Sequence, residues 1–198
     1  MKFYTKLQDW LAGPFSQKMQ KFMQNPYMHA LQVCFTIILP MIMVGSLASL
    51  VNTFRNFAPW LPDLSLINSF SFGLISIFMA FLIPYTIMES KKLQKQKMIT
   101  GFASVSALIA LANPQYVDGN LVINSGYVGT GGMTVAMVMG LVIGWLFSAY
   151  FKHGLFKKDS SLPSVVVVWF ESILIIFVLI LVCIICLLYT SPSPRDRG

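Results

Sequence analysis

The chain has 198 residues, of which 56% are hydrophobic and only 11% are charged, and its formal net charge is +7. A soluble domain usually carries about a quarter charged residues, so the composition excludes an ordinary soluble domain and indicates an integral membrane protein. The basic residues form short clusters between apolar runs, which favours membrane orientation over nucleic-acid binding. We therefore predict lipid, and no nucleic acid, as a partner.

Residues 1–28 are predicted to form an amphipathic segment rather than a membrane span. Phe15, Met19, Phe22 and Met23 recur at helical spacing, with lysines and glutamines on the opposite side. An apolar stripe with a basic flank is typical of a helix lying in the membrane interface. A stripe docked on protein remains an equal alternative.

Residues 29–185 are predicted to hold five transmembrane helices, which gives an all-α integral membrane fold. The apolar runs cover about 30–51, 70–88, 98–112, 127–151 and 164–189. The third run is short for a bilayer core of about 30 Å. Between the third and fourth runs, Asp118-Gly119 stands between β-formers, which predicts a small external β-hairpin.

The basic residues predict the orientation of these spans. Counted from the N-terminus, the segments between apolar runs carry 4, 1, 4, 0 and 3 lysines or arginines. Because Lys and Arg accumulate on the cytoplasmic side, we predict a multi-pass membrane protein with a cytoplasmic N-terminus.

The fourth run carries a seam of small residues, one every fourth position, at Gly132, Ala136, Gly140, Gly144 and Ser148. On a helix these residues form one nearly straight line. Small residues let membrane helices approach closely, so the seam is predicted to pack against protein. Met137, Val138, Leu141, Val142 and Trp145 are expected to face lipid or neighbouring helices.

Glu171 is the one carboxylate clearly inside a predicted span, roughly 10 Å from its cytoplasmic end by helical rise. An intramembrane carboxylate normally has a partner or faces a wet cavity. Glu171 is therefore either a polar site beside a transport path or a protonated or hydrogen-bonded packing residue.

The remaining reactive side chains indicate neither catalysis nor metal binding. Cys183 and Cys186 have redox-like spacing but lie in hydrocarbon, where a thiolate is disfavoured. His29 and His153 lie at span edges without a second ligand, and Asn52 and Asn113 lie where backbone capping explains them. We predict no metal site, no cofactor and no catalytic residues in this chain.

Residues 186–198 end in SPSPRDRG, a composition unlike the rest, and resemble translated sequencing-adapter sequence. We expect this tail to be non-native and the natural protein to continue past Leu181.

Four motifs in order resemble the lactose/cellobiose-type enzyme IIC permeases of the bacterial sugar phosphotransferase system. They are PMIMVGS at 40–46, GYVGTGGM at 126–133, DSSLP at 159–163 and WFES at 169–172. The resemblance implies a homodimeric permease of ten spans in the bacterial inner membrane, in which the first five helices mainly build the dimer interface. It also implies a mono- or disaccharide substrate (cellobiose-, lactose- or chitobiose-like), IIA and IIB partners, and phosphorylation of the sugar by IIB.

The resemblance further implies that the sugar-contacting His and Glu belong to a second half, so no substrate residue is assigned here. The expected function is the scaffold half of a permease that acts, as a complete system, as a protein-phosphohistidine–sugar phosphotransferase. The alternative is a complete five-helix anchoring or interaction protein without transport activity.

Overall fold

The computed structural model describes residues 16–112, 114–117, 119–123, 125–153 and 164–190. These residues form eight α-helices, one 3-10 turn and one pair of short strands. The helices are α1 (Ser16–Met23), α2 (Pro26–Phe54), α3 (Ser65–Ser71), α4 (Ile75–Ser90), α5 (Lys97–Leu111), α6 (Ser125–Val128), α7 (Met133–His153) and α8 (Ser164–Thr190).

Helix α1 carries the described part of the predicted amphipathic segment. Met19, Phe22 and Met23 are exposed, as the predicted stripe requires if it faces a membrane interface. Phe15 and the rest of residues 1–15 lie outside the described residues. Helix α2 then begins at Pro26, and the side chain of Asn25 accepts a hydrogen bond from the Tyr27 N–H at 3.1 Å, as an N-cap does.

Helix α2 continues through Pro40 as one 29-residue element. Its buried residues lie on one side, namely Ala30, Cys34, Ile38, Gly45 and Ala48. Large side chains such as Leu39, Met43 and Leu47 are exposed on the other side. In a bilayer such a helix packs one face on protein and leaves the rest in lipid.

The predicted second span, 70–88, is in fact two helices, α3 and α4, that are separated at residues 72–74. Gly73 lies in this turn, where a Cβ would collide with the backbone oxygen of Ser69. The turn is therefore too tight for a side chain at this position.

In the loop before α3, the backbone and side chain of Ser65, with help from Arg55, hold the pKa of Asp63 below its usual range.

Helix α4 is the centre of the described part of the molecule. It packs most extensively on α7, and then on α5 and α2. Ile75, Met79, Ile83 and Ile87 are all buried, and they share one cluster with residues of α2, α5 and α7. A second cluster joins α5 and α7 to α8 through residues such as Ala107, Phe147 and Ile175.

Four helical stretches within the described residues are long and apolar enough to cross a membrane: Pro26–Phe54, Ser65–Ser90, Thr130–Lys152 and Val168–Cys186. Helix α5 is also apolar but has only 15 residues. At 1.5 Å per residue it is about 22 Å long, which is short of a hydrocarbon core of about 30 Å. The described residues thus contain four stretches of spanning length, one of which consists of α3, the turn at 72–74 and α4, and the crossing by α5 stays a prediction.

Two three-residue strands follow α5. β1 (Gln115–Val117) pairs antiparallel with β2 (Asn120–Val122), with Tyr116 opposite Leu121. Gly119 has a φ of +79°, which suits glycine in a tight connection. Asp118 lies outside the described residues, and an external position of the strand pair stays a prediction. The predicted fourth span begins later than expected, because residues 125–132 form α6 and the 3-10 turn Thr130–Gly132 before α7 starts.

Candidate functional site

The small residues of α7 face α4 along most of its length. A Cβ built on Gly140 would lie 3.0 Å from Ile83 Cβ and 3.3 Å from Pro84 Cδ. A Cβ on Gly144 would lie 2.6 Å from Ile87 Cδ1 and 3.2 Å from Pro84 Cα. No larger side chain fits at either glycine without moving α4 or its side chains.

The remaining seam residues extend the same interface. Ala136 is completely buried. Gly132 lies in the 3-10 turn just before α7, where a Cβ would collide with the backbone oxygen of Tyr127 and would lie 3.0 Å from Ser76 Oγ of α4. On the opposite side of α7, Val138, Val142 and Trp145 are each more than half exposed. Met137 and Leu141, which were expected to face lipid or neighbouring helices, are partly buried against the first cluster.

Polar contacts join α4 and α7 at both ends of the seam. Near the N-terminal ends, the buried Ser76 hydroxyl of α4 donates to the carbonyl oxygen of Gly129, four residues before α7 begins, at 2.5 Å. At the C-terminal ends, the Lys91 ammonium donates to Ser148 Oγ at 2.8 Å. Since the like ends of the two helices meet, α4 and α7 run parallel.

Lys91 also joins these two helices to α2. Its ammonium donates to the Tyr27 hydroxyl at 2.7 Å and lies 4.7 Å from the centroid of the Tyr27 ring. The aromatic face and the hydroxyl both favour the cation. Ser148 in turn donates to the Trp145 carbonyl oxygen at 2.9 Å. Lys91 therefore connects the start of α2, the end of α4 and the seam of α7.

Glu171 is buried on α8, with 7% of its surface exposed, and Ser172 beside it is buried as well. The Tyr150 hydroxyl of α7 lies 3.4 Å from the Glu171 backbone carbonyl oxygen, at the long limit of a hydrogen bond. Ser172 donates to the Val168 carbonyl oxygen at 2.6 Å. Glu171 therefore lies at the contact between α8 and the C-terminal part of α7.

The family model described as "Phosphotransferase system, EIIC" matches residues 32–193, most of the chain. The chain belongs to this EIIC family. No curated protein and no solved structure is significantly similar to it.

Membership of the EIIC family means that the seam and the buried polar groups belong to a membrane permease component. This EIIC chain is a membrane permease component of a sugar phosphotransferase system, with a sugar as substrate and other proteins of that system as partners. The family and the four long apolar helices together indicate a multi-pass membrane protein.

The other residues singled out in the sequence are spread over the EIIC chain. Cys34 and Cys183 are buried, Cys186 is exposed, and none of the three forms a disulfide bond. Within the described ranges, no group of three or more His, Cys, Asp and Glu could hold a metal ion. His29 is exposed near the start of α2. The side chain of His153, all of Asn113, and residues 191–198 of the tail lie outside the description.

Asn52 binds backbone, although not that of its own helix. Its side-chain oxygen accepts from the Leu64 N–H at 2.9 Å, which ties the end of α2 to the start of α3. The expectation of a backbone contact was therefore right in kind, and the partner lies across the loop.

Sequence reasoning missed the contact between Lys91, Tyr27 and Ser148. It counted Lys91 only as one of several loop lysines and Ser148 only as a small seam residue. One signal was available, because Ser148 is the single polar member of an otherwise apolar seam. Ser148 lies near the end of its predicted span, on the side predicted to be cytoplasmic. The loop that carries Lys91 is predicted to lie on the same side, so a contact between the two side chains could have been considered.

Proposed function

We propose that this chain is the N-terminal, scaffold half of a lactose/cellobiose-type EIIC permease. In this role it orients and supports a second half that binds a mono- or disaccharide and presents it to the IIB partner for phosphorylation. The subtype rests on the four sequence motifs in their order. The scaffold role is carried by one observation, the close and parallel packing of α7 on α4.

The packing supports a scaffold because it couples several spans into one body. Gly140 and Gly144 bring the backbones of α4 and α7 close together, and Ser76 and Lys91 fix the relative position of the two helices. Lys91 adds the start of α2 to the same unit through Tyr27. A rigid support of this kind suits a half whose task is to hold a moving or substrate-binding half in place.

The parallel arrangement also supports five crossings and an external strand pair. The chain leaves α4 at the end marked by Lys91 and begins α7 at the opposite end of the same pair of helices. It must therefore return across the membrane between them, and α5 is the helix that is available for this. The positive-inside rule assigns Lys91, Lys95 and Lys152 to the cytoplasmic side. β1 and β2 then lie on the opposite, external side.

The proposed orientation is tested by cysteine labelling in intact cells. In a chain whose three native cysteines are replaced by serine, Lys95→Cys should react with an impermeant maleimide only after the membrane is opened. Asn120→Cys on β2 should react in intact cells. Labelling of Lys95→Cys from the outside alone would overturn the orientation.

The proposed substrate class and scaffold role are tested on the complete locus. The coding sequence is followed past Leu181, and the resulting protein is expressed in a strain that lacks its own cellobiose permease. We expect about five further spans, an intramembrane His and Glu, and phosphoenolpyruvate-dependent phosphorylation of cellobiose, lactose or chitobiose. Cross-linking should give a homodimer through this half.

Two results would contradict the proposal. A stop codon soon after α8, in a locus free of adapter sequence, would favour a five-helix anchoring protein. Phosphorylation confined to an unrelated sugar such as a hexitol would refute the lactose/cellobiose subtype while leaving the EIIC family assignment intact.

A further inference from the structure

A cavity of about 450 Å³ opens at the C-terminal ends of α4 and α7. Two lysines and several apolar side chains form its wall, which is lined by Lys91, Leu93, Trp145, Ser148, Ala149 and Lys152. None of these lining residues is a carboxylate. The cavity is therefore positively charged and open to an anion.

The acidic residue nearest in sequence is engaged elsewhere. Glu89 Oε1 accepts from the Lys97 ammonium at 2.7 Å. The partners described for Lys91 are two hydroxyl groups and an aromatic ring, and all of them are neutral. These contacts position the half-buried ammonium without balancing its charge. An anion in the cavity would supply that balance.

The surroundings of the cavity favour an amphiphilic anion. Trp145 lines it and is 56% exposed on the side of α7 that faces away from α4. Tryptophan is enriched at the level of lipid headgroups, and basic pockets between membrane helices bind the headgroups of anionic lipids. A lipid phosphate can enter at this level while its acyl chains run along Val142 and Val138 of α7.

We propose that this cavity binds the phosphate of an anionic phospholipid, with Lys91 and Lys152 as its cationic contacts. A purely structural role for Lys91, as the link between α2, α4 and α7, does not account for the second ammonium in the same cavity. The proposal goes beyond sugar transport and does not depend on it. Its consequence is that the parallel pair of α4 and α7 is stabilised by the lipid that surrounds it.

The test measures binding of short-chain phosphatidylglycerol to the full chain in a neutral detergent at physiological salt. Short-chain phosphatidylcholine, inorganic phosphate and glycerol 3-phosphate serve as the other probes. We expect saturable binding of phosphatidylglycerol, at least tenfold weaker binding of phosphatidylcholine, and no competition by the two soluble phosphates at concentrations that saturate the lipid.

Lys152→Gln should weaken the binding of phosphatidylglycerol about fivefold, and Lys91→Gln combined with Lys152→Gln about thirtyfold, from the usual contribution of a lysine to anionic-lipid binding. Lys92→Gln is the matched control. It removes the same charge one residue away, but Lys92 is exposed and does not line the cavity. Its dissociation constant should stay within about twofold of the unaltered chain, because salt screens an exposed charge.

Lys91→Gln can disturb folding, because Lys91 connects three helices. Lys152 is exposed, so Lys152→Gln with unchanged circular dichroism decides the question on its own. Unchanged affinity in Lys152→Gln, or an equal loss in Lys92→Gln, would overturn the assignment of the site. If inorganic phosphate displaced the lipid at a concentration equal to the lipid's dissociation constant, the assignment to lipid would be overturned. The cavity would then be a site for free phosphate.

Discussion

Gly140 and Gly144 lie where α7 comes closest to Ile83, Pro84 and Ile87 of α4. Membrane helices gain little from apolar surface alone, because lipid tails are equally apolar, and close contact has to supply the attraction. Both glycines allow that contact. Their role in stabilising the EIIC scaffold can be tested at the level of single residues.

Gly144→Leu should separate α7 from α4, because Ile87 and the backbone of Pro84 occupy the space that the new side chain needs. We expect a loss of about 1–3 kcal/mol or more in the free energy of unfolding in mixed micelles. Val142→Leu is the control, because Val142 is more than half exposed on the opposite side of the same helix. Equal free energies of unfolding for Gly144→Leu and Val142→Leu would contradict close packing of the seam on α4.

Glu171→Gln tests which of the two roles this buried residue has. The amide keeps the size and hydrogen-bonding capacity of a protonated carboxyl group, so a packing residue should tolerate it. We expect sugar uptake by the complete permease to stay within about twofold, with unchanged membrane levels on immunoblots. Lost uptake at normal membrane levels would instead assign Glu171 to the transport path.

At the scale of the element, the exposed apolar face of α1 distinguishes the two alternatives for residues 1–28. Nothing in the described part of the chain covers Met19, Phe22 or Met23, which favours burial of this face in the membrane interface. A tryptophan probe can measure this directly.

Phe22→Trp should fluoresce with a blue-shifted maximum in vesicles and should be quenched by lipids brominated near the headgroup. The native tryptophans are first replaced by phenylalanine, and Gln20→Trp on the other side of α1 provides the matched control. Emission from Phe22→Trp that brominated lipid does not quench would indicate docking on protein instead.

The sequence predicts those helices that coincide with a long, uninterrupted run of apolar residues. The long apolar runs define α8 closely and α2 to within four residues, but they place the start of α7 six residues too early. The four-residue spacing of small residues identifies the face of α7 that meets α4. The break at residues 72–74 escaped prediction, because Phe72 and Leu74 continue an apolar run and only the contact of Gly73 with Ser69 reveals the turn. Lys91 escaped for a related reason, since its partners Tyr27 and Ser148 are distant in sequence.

At the scale of the whole molecule, the parallel direction of α4 and α7 decides how often the chain crosses the bilayer. With cysteines only at Lys91 and Ser148, a short bismaleimide should join α4 to α7 in high yield. With cysteines at Lys91 and Thr130 it should not, because residues 130 and 148 are about 27 Å apart along a helix. The reverse pattern would mean that α4 and α7 are antiparallel and that α5 does not cross.

Ser76 and Lys91 hold opposite ends of one helix against the same neighbour. Sliding of α7 along α4 by a full turn would bring small residues opposite similar neighbours again, but it would break both polar contacts at once. The two helices are thus locked against axial displacement. As long as both contacts hold, α4 and α7 move as one unit, so we expect the rearrangement that carries a sugar across the membrane to take place around this pair.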